Sequence, residues 1–163
     1  MTLSERLGGM MLSALRIWAA AWITFLISIV PLYVFRGNYH DALTRDQYER
    51  VLMTVIGLVF GTAICLLLTA RNERTARLTR KEGLIEAGGA VGVYCFAWLL
   101  LLIVGNNFLI AVCGHYLQQL LGLAADGNPT FGASFLAMLI YGACYFGATA
   151  LGTYLARKRH LKL

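Results

Sequence analysis

Four stretches of the chain, 17–35, 51–70, 87–125 and 127–156, contain no Lys, Arg, Asp or Glu. An α-helix needs about 20 apolar residues to cross roughly 30 Å of hydrocarbon, and each stretch reaches or nearly reaches that length. Composition agrees: hydrophobic residues make up 59% of the 163 and charged ones 13%, against roughly 45–50% and about 25% in an average soluble domain. The sequence therefore predicts an all-α integral membrane protein with a single transmembrane domain, 1–163. Its spans are expected at about 12–35, 51–70, 87–107 and 131–156.

Arg6 and Arg16 precede the first stretch, as basic residues precede a secretory signal. However, the stretch exceeds the about 7–15 residues of a typical signal core, and no small-residue cleavage site closes it, so a retained span is expected.

Orientation follows from the basic residues. With four spans and an inner N-terminus, one side receives Arg6, Arg16, Arg71, Arg74, Arg77, Arg80, Lys81, Arg157, Lys158, Arg159 and Lys162. These are eleven of the 14 Lys and Arg residues, leaving Arg36, Arg45 and Arg50 outside. The bias predicts a four-transmembrane-helix bundle, N-in and C-in, in a plasma or bacterial inner membrane, with both termini cytoplasmic. A fifth crossing within 108–125 would move the basic C-terminal segment to the outside. Residues 108–124 are instead expected to form an outer interfacial amphipathic helix after the third span. Asn107, Gly114, His115, Gln118, Gln119 and Gly122 would share one face, and Leu109, Val112, Leu117 and Leu120 the other.

Helix starts carry local signals. Thr44 to Gln47 and Thr79 to Glu82 have the S/T-x-x-E/Q spacing of a capping box, and Asn128-Pro129 suits an N-cap followed by a first-turn proline. Starts are expected at about Arg45, Arg80 and Pro129. Pro31 lies inside the first span, where its missing N–H predicts a kink.

Helices in lipid associate through close backbone approach and polar contacts, because lipid tails are as apolar as leucine. Gly57 and Gly61, Gly88 and Gly92, and Gly147 and Gly152 are therefore candidate packing positions. Trp98 is expected between helices. Trp18, Tyr33, Tyr39, Tyr48, Tyr116 and Tyr154 fall near the membrane interfaces, where their rings gain from both phases. The residues around Trp22 and Trp98 also echo one another, a pattern expected if two hairpins arose as parallel repeats.

Candidate chemistry is sparse. The four cysteines, Cys65, Cys95, Cys113 and Cys144, lie in apolar stretches without a CxxC pair, so buried reduced thiols are expected, with no metal and no cofactor. No metal-ligand motif, acid pair or phosphate loop is visible, which makes an integral-membrane enzyme the third functional reading. His40 and Asp41 read as part of a solvated outer loop. Arg71, Arg74, Arg77, Arg80 and Lys81, mixed with Glu73, Glu82 and Glu86, read as a helical surface for anionic lipid headgroups and not for nucleic acid. Asn106, Asn107, His115 and Gln118 are candidates to line a polar cavity or an oligomer pore, with His115 also placed to sense pH. The leading expectation is a small oligomeric transport or translocation component. The alternative is a non-catalytic accessory subunit of a larger membrane complex.

Overall fold

The computed structural model describes residues 3–36, 42–104, 117 and 131–161, the side chains at 28–36, 42–50 and 131 excepted. Among the described residues all regular structure is helical: α1 (Leu3–Arg36), α2 (Ala42–Ala70), the single turn α3 (Glu73–Ala76), α4 (Arg80–Val104) and α5 (Phe131–His160). Four of these helices are long and apolar enough to cross a membrane.

α4 begins at Arg80, where the capping box predicts it. The Thr79 N–H and hydroxyl donate to Glu82 Oε2 at 3.0 and 2.8 Å, and Glu82 N–H donates back to Thr79 Oγ1 at 3.3 Å. The other starts differ in instructive ways. α2 begins at Ala42, so Thr44 lies already within the helix and the tetrad there does not mark its end. α1 continues as helix through Pro31 to Arg36. The Asn128-Pro129 signal lies outside the described residues.

The helices form a square in which α1 packs on α2 and α4, and α5 packs on the same two. Close approaches fix their directions. Gly9 faces Glu86 and Gly89 faces Met10, so α1 and α4 run parallel. Gly57 faces Tyr141, Gly61 faces Tyr145 and Cys65 faces Thr149, so α2 and α5 run parallel as well. Gly83 against Thr153 and Gly142 against Cys95 set α4 antiparallel to α5. One end of the square thus gathers the start of α1, the end of α2, α3, the start of α4 and the end of α5, and with them most of the basic residues.

This arrangement does not follow the echo between Trp22 and Trp98. A two-fold axis along the bundle would put α1 diagonal to α4, whereas they are neighbours. The echoed residues also differ, since Trp98 is fully buried and Trp22 only partly so.

The α2–α5 seam shows why small residues recur every four positions. Gly57, Gly61, Cys65 and Thr69 form one helical stripe, and Tyr141, Tyr145, Thr149 and Gly152 fill it. A Cβ at Gly61 would lie 2.9 Å from the Tyr145 hydroxyl oxygen, and one at Gly152 would lie 2.8 Å from Thr69 Cβ and 3.0 Å from the Leu66 carbonyl oxygen. Backbone cannot swing aside, so Gly152→Val must part the two helices. It is expected to lower stability by about 1–3 kcal/mol, read as thermal melting of the purified protein in detergent. Gly92→Ala and Gly147→Ala, whose Cβ atoms would meet nothing within 4 Å among the described residues, are expected to be neutral or to gain up to ~1 kcal/mol of helix propensity.

Four threonines within the bundle satisfy themselves locally, whereas the buried Thr54 hydroxyl has no partner among the described residues. The hydroxyls of Thr24, Thr62, Thr69 and Thr153 donate to carbonyls four residues back, which removes the cost of placing an unpaired hydroxyl in apolar surroundings. Outside, Leu26, Val59, Phe96, Ile103, Leu136 and Leu139 are exposed. Such an apolar exterior suits lipid as its surroundings.

Candidate functional site

Two features occupy the interior, an aromatic ring system at mid-bundle and an ionic cluster at the basic end. Tyr94 and Trp98 from α4 and Tyr141 and Tyr145 from α5 close a four-membered cycle. Its centroid separations are 5.7 Å (Tyr94–Trp98), 6.0 Å (Trp98–Tyr141), 6.2 Å (Tyr141–Tyr145) and 5.4 Å (Tyr145–Tyr94). Trp18 from α1 joins at 5.3 Å from Tyr94. Edge-on and tilted geometries dominate, as the ring quadrupole favours. Trp98, Tyr94 and Tyr145 are the largest fully buried side chains, so the centre of the described bundle is filled.

The ionic cluster is built from three elements. At the end of α2 the chain turns through Asn72, whose side-chain oxygen accepts from the N–H groups of Arg74 at 2.9 Å and Thr75 at 3.3 Å. The Thr75 hydroxyl lies 2.8 Å from Thr69 O and 2.7 Å from Asn72 O, which ties the turn to the end of α2. Held this way, Arg74 reaches across the end of the bundle. Its Nη2 lies 3.3 Å from Glu86 Oε2 and 3.1 Å from the carbonyl of Glu5. The second carboxylate oxygen of Glu86 accepts from the Ser13 hydroxyl at 2.7 Å. Arg16 approaches the same hydroxyl at 3.5 Å, at the edge of hydrogen-bonding distance.

Glu86 is buried, while a third of the Arg74 side chain stays exposed. The space for this pair comes from Gly9, where a Cβ would collide with Arg74 and lie 2.5 Å from Glu86 Oε2. A carboxylate with a distinct partner on each oxygen is adequately satisfied for an interior position. The cluster therefore couples α1, α3 and α4 through charge, at the level where the charge-free stretches beginning at Ile17 and Ala87 start.

The predicted site residues distribute unevenly. Gly57, Gly61 and Gly152 meet side chains of neighbouring helices closely, whereas Gly88, Gly92 and Gly147 are exposed on α4 and α5, a Cβ at Gly88 only reaching the Phe146 ring at 4.0 Å. Arg71, Arg77, Arg80 and Lys81 are exposed at the basic end, and Arg74 turns inward to Glu86. Asn106, Asn107, His115 and Gln118 lie outside the described residues, as do His40, Asp41 and Cys113. Of the segment 108–124, Leu117 is described; it is helical and joins the core. Cys65 is buried, Cys95 and Cys144 are partly buried, and all three are free thiols. No cluster of metal-binding side chains occurs among the described residues.

Sequence reading missed the Ser13–Glu86–Arg74 cluster. The available signal was that Arg16 and Glu86, opposite in charge, each directly precede a charge-free stretch starting on the same side. No known protein family, curated protein or solved structure matches the chain.

Proposed function

We propose that the chain is a small membrane component that builds a transport or translocation pathway by assembling with further copies of itself. The observation that carries this reading is the filled interior. With Trp98, Tyr94 and Tyr145 closing mid-bundle, a route is more readily formed between chains than through one. Gly92 and Gly147, exposed on α4 and α5 with nothing among the described residues within 4 Å of a Cβ, offer another helix close backbone approach.

In this reading the basic end faces the cytoplasm, N-in and C-in, in a plasma or bacterial inner membrane. The segment after α4 lies along the outer interface, where Asn106, Asn107, His115 and Gln118 contribute polar groups to the pathway. The molecular mass of the protein purified in mild detergent tests the proposal. A defined homo-oligomer that dissociates on Gly92→Leu with Gly147→Leu is the expected result. A monomer recovered in fixed ratio with a different membrane protein would overturn it and favour the accessory-subunit reading.

A further inference from the structure

The start of α4 and the end of α5 diverge beyond their tight crossing, where a Cβ at Gly83 would lie 2.7 Å from Thr153 Cγ2. Between them opens a cleft of ≈ 600 Å³. Its charged lining is Arg80, Arg157 and Lys158, three cations with no carboxylate among them, and its apolar wall includes Leu84, Ala150 and Tyr154. We propose that this cleft binds an anionic phospholipid of the inner leaflet, with the phosphate held by the three cations and an acyl chain laid along the wall. The inference deepens the reading above and rests on its placement of the basic end at the inner membrane face.

Charge complementarity selects this occupant. Arg80, Arg157 and Lys158 are exposed, and none forms an ion pair among the described residues. Glu82, the nearest carboxylate in sequence, is engaged by the Thr79 N–H and hydroxyl at 3.0 and 2.8 Å. The neighbouring cleft on the other side of α5 differs, because Glu73 lines it together with Arg77 and Arg159. Its mixed charge gives an anion less reason to stay.

The apolar wall argues for a lipid over a soluble anion. Leu84 and Tyr154 are 44% and 59% exposed at the cleft although both are large and apolar, and they lie on the membrane side of the cations. Tyrosine at headgroup level is the expected interfacial anchor, its ring against acyl chain and its hydroxyl toward water. Each nearby Lys or Arg adds electrostatic attraction to an anionic headgroup. The cleft adds a defined position to that general attraction.

The test is native mass spectrometry of the full chain in detergent, titrated with dioleoyl phosphatidylglycerol and, separately, with dioleoyl phosphatidylcholine. The wild-type chain should retain the anionic lipid preferentially, and Arg157→Gln or Lys158→Gln should weaken that retention about fivefold each. Arg71→Gln and Arg77→Gln, outside the cleft, should change it little. Ala150→Trp fills the apolar wall and leaves all three cations in place, so it should abolish the preference while the protein keeps its oligomeric state and melting temperature. Equal losses from cleft and non-cleft cations, with Ala150→Trp silent, would overturn the cleft as a site and leave the orientation standing. Equal retention of both lipids by the wild-type chain would overturn the site together with the reading of the basic end as a surface for anionic lipid.

Discussion

Glu86→Ala is expected to destabilise the bundle by about 2–4 kcal/mol, somewhat below the ~3–5 kcal/mol for breaking a fully buried ion pair, because Arg74 keeps access to solvent. The loss has two sources. Arg74 would lose its carboxylate partner at the end of the bundle, and the buried Ser13 hydroxyl would lose its 2.7 Å acceptor. Glu86→Gln keeps an acceptor for Ser13 and removes the charge, so it should cost less than Glu86→Ala. Pairing Glu86→Leu with Arg74→Met should cost less than the sum of the single changes, because the second substitution removes the cation that the first leaves unpaired. Unfolding in mixed micelles of increasing denaturing detergent measures all of these. A Glu86→Ala protein as stable as the wild type would show that the pair contributes nothing to the fold.

Trp98→Ala is the second large effect. The indole is fully buried between Tyr94 and Tyr141, and removing it leaves a cavity that the closed ring of aromatics is poorly able to fill. The expected loss is about 2–4 kcal/mol, below the ~3–5 kcal/mol seen in soluble cores, because in the unfolded state the side chain meets lipid and not water. Trp98→Phe keeps an aromatic ring and gives up an Nε1 that has no hydrogen-bond partner among the described residues, so about 1 kcal/mol is expected. Near-ultraviolet circular dichroism supplies the second readout. Coupling among the stacked rings should collapse in Trp98→Ala and persist in Trp98→Phe.

These two sites differ in how far the sequence reveals them. Trp98 stands near the middle of the expected span 87–107, so its burial between helices was legible once the spans were drawn. The spans were legible because a bilayer tolerates few charges, and a gap in charge is visible without any knowledge of packing. The Thr79–Glu82 cap was legible for a local reason, since both partners lie within one turn. The α5 partner of Trp98 was not legible, because Tyr141 reads equally well as lipid-facing.

The same limit applies to the glycines. Spacing of four places Gly57 with Gly61 and Gly88 with Gly92 on common faces, but spacing alone does not say which face meets a helix of the same chain. The first pair meets tyrosines of α5 and the second is exposed. Glu86 was hidden by its surroundings. In a run of alternating acids and bases it reads as part of a solvated surface, and only the packing of α1 against α4 brings Ser13 and Gly9 to it. Arg74 reads as one of the headgroup-facing cations for the same reason.

The placement of both basic ends on one side of a membrane underlies the proposed orientation, the lipid cleft and the assembly alike, and side-specific labelling measures it directly. In a chain with Cys65, Cys95, Cys113 and Cys144 replaced, Arg77→Cys, Arg159→Cys and Asp126→Cys are introduced one at a time and exposed to a membrane-impermeant thiol reagent in sealed inner-membrane vesicles of known orientation. Arg77 and Arg159 line the same cleft at the end of the bundle, so both should react from the cytoplasmic side and position 126 only from the opposite side. Reaction of positions 77 and 159 from opposite sides, or of position 126 from the same side as both, would contradict the four-crossing arrangement.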